Sequence, residues 1–260
     1  MSKVYTTEIT SENIPSDNPI HQRLLKPYVA AEAYVFGDVL EVGCGEGRGI
    51  DLIINKAASY TALDKIESAL AVLRKKYPSG KFISGNIPPF TGIKDNSYDR
   101  LFSFQVIEHI KDDFAFLQEI HRVLKPGGIA MLTTPNRLLS LSRNPWHIRE
   151  YTAAELTEIA KKIFPIVEMK GIAGNEKVMQ YHERNRKSVQ RIMKWDVLNL
   201  QHRLPARLLQ IPYEFLNRRN RERLISTSDE LVRSITHTDY LLTDNATTAL
   251  DLFLIVTKRH

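Results

Sequence analysis

Cysteine is almost missing from this chain: Cys44 is the only one in 260 residues. No intrachain disulfide can form, and a reducing compartment, cytoplasmic by default, is expected. Long apolar runs are missing too, and none approaches the ~18 residues that a membrane-spanning helix requires. The opening stretch Met1–Glu8 has no apolar h-region, so no secretory signal is expected. Internal repeats and low-complexity tracts are also absent. What remains is 43% hydrophobic and 25% charged, the make-up of a globular protein with room for one large α/β domain and an insertion.

Positive charge is present but unevenly placed. Residues 175–235 hold 13 Lys/Arg against 7 Asp/Glu, which accounts for the whole net charge of +6. A basic segment can meet nucleic acid, an anionic membrane or an acidic substrate, and it can equally be a solvated helical face.

Short apolar runs alternate with helical patterns through the first two thirds of the chain. Val39–Gly43, Tyr60–Asp64, Lys81–Gly85, Tyr98–Phe104 and Ile129–Thr134 read as buried strands, with helices clearest at Glu67–Tyr77 and Asp112–Leu124. Pro126-Gly127-Gly128 reads as the turn into the fifth strand. This alternation predicts a parallel, doubly wound sheet with ligands at the carboxyl ends of its strands. Beyond Pro135, Thr152–Ile163 predicts a helix with Thr152 and Glu155 as a capping box. Ile166–Met169 and Leu250–Thr257 predict two further strands. The 80 residues between them exceed any plain loop. Val189, Ile192, Met193, Val197 and Leu200 fall at helical spacing, and Pro205 and Pro212 are expected to break the rest of the insertion into shorter helices.

Glu41-Val-Gly43-Cys44-Gly45-Glu-Gly47 comes directly after the first strand. Glycines there permit a tight turn and close approach of a ligand. The dinucleotide fingerprint fails, because its sixth position is Arg48 counted from Gly43 and Ile50 counted from Gly45; the phosphate-loop ending is absent. A ligand with a ribose and a cationic aminoacyl end, but no phosphate, fits better. Glu41 would repel phosphate and could hold an ammonium. Asp64, 19 residues after Gly45 and at a strand end, is placed to accept ribose hydroxyls.

Val39-Leu-Glu-Val-Gly-Cys-Gly-Glu-Gly47 resembles the first motif of class I methyltransferases that use S-adenosylmethionine (SAM), and Asp64 matches their ribose-binding acid. Phe82–Phe90 is similar to their third-strand motif, with Asn86 where an acid usually contacts adenine. Tyr98–His109 and Arg122–Ile129 resemble the fourth and fifth, and Thr133–Asn136 the loop after them. The resemblance implies a Rossmann-like sheet of seven strands, the last antiparallel, with a helical insertion before the final strand. It divides the chain into a cap at 1–36, a SAM-binding core at 37–174, a basic helical lid at 175–240 and the final strand at 241–260. Glu41, Gly43, Cys44, Gly45, Asp64, Lys65, Asn86, Ile87 and Gln105 are the cofactor-binding residues it implies.

Candidates for a base cluster at Gln105, Glu108 and His109 and in the stretch Asn144–Tyr151 with His147 and Glu150. The catalytic candidates are His109, whose ordinary pKa suits a base near neutrality, and His147. Small-RNA 2′-O-methyltransferases also resemble this chain, and they bind a divalent ion through Glu-x-x-Glu-His and a distant His. The matching positions are Gln105, Glu108, His109 and His147; Gln105 is a poor ligand, so no metal is expected. The implied function is methyl transfer to a heteroatom of a small or lipid-linked molecule of sugar, quinone or polyketide type. An RNA methyltransferase and a non-catalytic SAM-binding subunit are the alternatives; no aromatic-and-basic RNA motif is present. In the insertion, Leu208, Leu209, Ile211, Tyr213, Phe215 and Leu216 lie beside Arg218, Arg219, Arg221 and Arg223, a combination that suits peripheral contact with an anionic membrane.

Overall fold

The five apolar runs pair side by side in the computed structural model, which describes residues 14–194 and 203–259. They form β1 (Asp38–Val42), β2 (Ser59–Asp64), β3 (Lys81–Ser84), β4 (Tyr98–Phe104) and β5 (Leu124–Pro135), all parallel, in the order β3-β2-β1-β4-β5. Their two faces feed separate clusters. Alternation sends Val39 to one side and Leu40 to the other, each fully buried. On the first side pack α1 (Asn18–Ala31), α2 (Ile50–Ile53) and α3 (Glu67–Lys76), through Tyr28, Ile53, Leu70 and Leu73. On the second packs α4 (Asp113–Val123), which buries Phe116, Leu117 and Ile120 and starts at Asp112, whose side chain accepts the Ala115 N–H at 2.9 Å.

The sheet continues with antiparallel strands. β8 (Asp251–Thr257) lies between β5 and β6 (Ile166–Gly174) and runs antiparallel to both, and β7 (Tyr240–Thr243) pairs with the outer side of β6. The sheet therefore has eight strands, one more than the sequence predicts. The extra one, β7, is a four-residue edge strand paired on one side only, and Tyr-Leu-Leu-Thr is too short to show a period of two. Pro126-Gly127-Gly128 lies inside β5 rather than ahead of it; Gly127 has φ +77°, and the β4–β5 register shifts there. The capping box forms at α5 (Ala153–Lys161), Thr152 and Glu155 each accepting the other's backbone N–H.

Between β6 and β7 run α6 (Glu176–Met193) and α7 (Ala206–Ser234). Val189, Ile192 and Met193 are half-buried on α6, while Val197 and Leu200 lie outside the described residues. Pro205 caps α7, but Pro212 does not break it. The carbonyl it leaves unbonded is that of Leu208, on an exposed turn where water can replace the missing N–H. Long-range polar contacts bind α7 to the first described residues. Buried Asp17 accepts from Arg218 at 2.8 Å and from Arg221 at 3.1 Å, and Asn18 donates to the carbonyls of Val232 and Ile235.

Candidate active site

The carboxyl ends of β1, β2 and β4 and the amino end of β8 meet at one cavity of about 730 Å³. Its floor is the turn after β1. Gly43 has φ +82°, and a Cβ there would stand 2.3 Å from Val106 Cγ2. Gly45, at φ +53°, has nothing within 4 Å of where its Cβ would be, so the backbone is open to an incoming group. Asp64 ends β2 and holds the turn: Oδ2 accepts the Gly45 N–H at 2.8 Å, Oδ1 the Ile66 N–H at 2.9 Å. Each oxygen keeps a second acceptor direction, and the residue lines the cavity.

Gly43, Gly45, Asp64, Lys65, Asn86, Ile87 and Gln105 come together on this wall. Gln105 does so at φ +59°, a left-handed conformation uncommon outside glycine, and its side chain reaches Thr133 and Asp251 at 3.3 and 3.4 Å. Two expected members do not line the cavity. Glu41 is 1% exposed beneath the turn, where it accepts the Tyr28 hydroxyl at 2.7 Å and the Tyr60 hydroxyl on its other oxygen. Burial raises its carboxyl pKa, with both hydroxyls acting against the rise. Its place is under the turn, not against an ammonium. Cys44 is buried, and desolvation pushes its thiol upward.

The same cavity brings His109 and His147 together, their rings edge to face with centroids 4.9 Å apart. His147 is held at both nitrogens. Nδ1 lies 2.6 Å from Glu150 Oε1, and Nε2 lies 2.8 Å from Asn144 Nδ2. The Trp146 N–H donates to Asn144 Oδ1, which turns the amide's NH₂ toward the ring. The proton of neutral His147 therefore sits on Nδ1, and Nε2 is the acceptor. Burial pushes Glu150 up, but the hydrogen bonds from His147 and Ser140 outweigh it and its carboxyl is lowered.

His109 departs from the sequence expectation. Its Nδ1 lies 3.0 Å from the Trp146 carbonyl, and burial together with His147 lowers its pKa to about 4. It is neutral near pH 7 and too weakly basic for the base expected there. Glu108, 1% exposed, accepts from Thr134 Oγ1 at 2.9 Å and is raised by burial to about 7.

Glu108, His109 and His147 each offer a ligand atom, and these lie within 4.8 Å of one another, so among the described residues they could hold a divalent ion. Gln105 is turned toward Thr133 and Asp251. Glu150 lies in the candidate stretch Asn144–Tyr151, and the fold sets it on His147 Nδ1. The pairing of Arg23 with Asp251 was not singled out from the sequence. Arg23, which lines the cavity, forms a bidentate pair with the buried Asp251, 228 positions away, with nothing in the sequence to connect them.

A model of the methyltransferase-domain family matches residues 40–132. Over 127 residues the chain is 46% identical to the "Probable S-adenosylmethionine-dependent methyltransferase" of Mycolicibacterium smegmatis, covering 47% of this chain and 49% of that protein. Over 103 residues it is 31% identical to the "Ubiquinone biosynthesis O-methyltransferase" of Pseudomonas paraeruginosa, covering 38% and 44%. A chain of the complex between the Haloferax volcanii Trm112 methyltransferase activator and a methyltransferase superimposes with TM-score 0.59 at 17% identity, covering 94% of each chain. This chain spans about half the length of the curated relatives it matches. Residues 40–132 are a methyltransferase domain, on the doubly wound sheet of the class I SAM-dependent methyltransferases.

Proposed function

We propose that the chain binds SAM against the Gly43–Gly45 turn and transfers its methyl group to a hydroxyl of a small or lipid-linked acceptor of sugar, quinone or polyketide type. The observation that carries this is His147: an imidazole with Glu150 on Nδ1 and its Nε2 lone pair kept as an acceptor, in the same cavity as the glycine turn and Asp64. When bound, SAM supplies a methyl on a sulfonium, open to in-line attack. Asp64 would hold the ribose hydroxyls, Asn86 and Ile87 would face the adenine, and Lys65 and Gln105 would border the same ligand. His147 Nε2 takes the acceptor's hydroxyl proton in place of the Asn144 donor, while Glu150 holds the ring and stabilises the imidazolium. Burial keeps His109 neutral beside it. The resemblance to an O-methyltransferase of quinone biosynthesis supports an oxygen acceptor.

Calorimetry with SAM, then measurement of S-adenosylhomocysteine release with sugar, quinol and polyketide phenol acceptors, tests this reading. SAM should bind and one acceptor class should turn over. Binding of NAD instead of SAM would overturn it, and SAM binding with no turnover on any of the three would favour the non-catalytic subunit. A second reading rests on the ligand geometry of Glu108, His109 and His147. There, a divalent cation would lower the hydroxyl's pKa in place of the base. With Gln105 outside that set, EDTA should leave the rate unchanged; loss of activity restored by Mg²⁺ or Mn²⁺ would select the metal.

A further inference from the structure

α7 has two faces with different fates. Tyr213, Asn217 and Arg221 line the cavity. On the other side Leu208, Ile211 and Phe215 are 63%, 80% and 63% exposed, uncovered by any described residue. Their spacing of three and then four residues places them in one stripe. Single exposed apolar residues are ordinary on a protein surface; three large ones on successive turns form a patch that requires an occupant.

We infer that this stripe is a docking surface for an anionic lipid bilayer. The charge around it selects that occupant. Arg207, Arg219 and Arg223 are exposed beside the stripe and carry no ion pair among the described residues, against a single exposed acid, Glu222. A second copy of the chain would bring this cationic rim against its own like. A bilayer offers an apolar interior below a negative headgroup layer, the complement of an apolar stripe flanked by guanidiniums. The arrangement also corrects the basic cluster drawn from the sequence. Arg218 and Arg221 are turned inward onto Asp17, leaving Arg219 and Arg223 as its outward members. Docking sets the cavity-lining face of α7 directly behind the membrane surface. On the methyl-transfer reading, on which this consequence alone rests, a lipid-linked acceptor then has a short path into the cavity.

Co-sedimentation with vesicles tests the surface independently of any enzymatic activity. The wild-type protein should pellet with phosphatidylcholine–phosphatidylglycerol vesicles at low salt, remain in solution with phosphatidylcholine alone, and be released as NaCl rises. Ile211→Ser with Phe215→Ser, and separately Arg219→Glu with Arg223→Glu, should each lower partitioning roughly tenfold or more. Both pairs should leave the thermal midpoint and SAM affinity unchanged, because these side chains point away from the core and the cavity. Wild-type protein that stays in the supernatant with anionic vesicles overturns the inference. So does pelleting that survives the apolar pair, which would mark nonspecific charge attraction. A concentration-dependent dimer abolished by the same substitutions, without vesicle binding, would assign the stripe to a second copy instead.

Discussion

At the glycine-turn end of the cavity the contacts that fix geometry are close in sequence: Asp64 and Gly45 are 19 positions apart, Asp64 and Ile66 two. Where the insertion helices close on the rest of the molecule they span nearly the whole chain, 201 positions for Asp17–Arg218 and 217 for Asn18–Ile235. The first end is built from strand termini inside a parallel sheet, where register leaves little freedom. The second is closed by helices that the sheet does not fix and that buried ion pairs hold instead. A cofactor pocket of the first kind can persist while the acceptor end changes around it. Damage at one end should therefore leave the other working.

The sharpest test is chemical. His147→Ala should lower turnover by ~10²–10⁴ with SAM affinity nearly intact, since the side chain serves the proton and not the cofactor. Glu150→Gln should lower turnover less and move the pH–rate profile, because it keeps a hydrogen-bond partner but loses the charge that supports the imidazolium. Full turnover in His147→Ala would pass the base role to another group, with Glu108 the next candidate.

Next in size is the ion pair that closes the lid. Asp17 is fully buried, and its removal leaves the guanidiniums of Arg218 and Arg221 without that carboxylate. Asp17→Ala should destabilise the protein by roughly 3 kcal/mol, the low end for breaking a buried pair, because Arg218 is partly exposed. Urea unfolding measures it. The same variant should raise the acceptor's KM while SAM affinity, measured at a temperature where it is folded, stays near wild type. A parallel loss of SAM affinity would mean that the two ends are one unit.

Asp64→Ala is the converse. Loss of its charge-assisted bonds should weaken SAM binding by roughly 1–3 kcal/mol in calorimetry, with the acceptor's KM little changed. Unchanged SAM affinity would remove Asp64 from the cofactor site.

The same division decides what could be read before the structure was known. The order of strands to residue 135 was legible, because each is a short apolar run, and α3 and α4 were legible from their helical period. Asp64 was legible because it sits in register with the glycines. Glu41 was misplaced because sequence shows a carboxylate before the turn but not the two tyrosines, Tyr28 and Tyr60, that occupy it from below. The downward shift of His109 was hidden for a related reason: desolvation and a second imidazole set it, and both come from tertiary packing. β7 and the continuity of α7 through Pro212 escaped because an edge strand and a solvated carbonyl leave no local signal. The Asp17 and Arg23 pairs were out of reach, since nothing in a single sequence couples positions more than 200 apart.

The smallest effect in the wild type, and the most telling in variants, concerns two adjacent residues pushed in opposite directions by the same burial. Desolvation raises Glu108 from 4.5 to about 7 and, with His147 nearby, lowers His109 from 6.5 to about 4. Between pH 4.5 and 7 the folded protein keeps a proton on Glu108 that the unfolded chain has released. That contribution to stability is full below pH 4.5 and lost as pH rises to 7. Between pH 4 and 6.5 the unfolded chain binds a proton on His109 that the folded protein refuses, so this contribution is full above pH 6.5 and lost as pH falls to 4. Across pH 4.5–6.5 the two slopes oppose and largely cancel. Glu108→Gln removes one of them, so its stability relative to wild type should rise with pH there, with a slope approaching ~1.4 kcal/mol per pH unit. His109→Asn removes the other and should fall with pH by a similar amount. Urea unfolding in steps of pH, with EDTA present throughout to keep cations off the cluster, reads both. Two variant curves parallel to the wild type would show that neither group is shifted by burial, and the histidine wall would then be wetter than its packing implies.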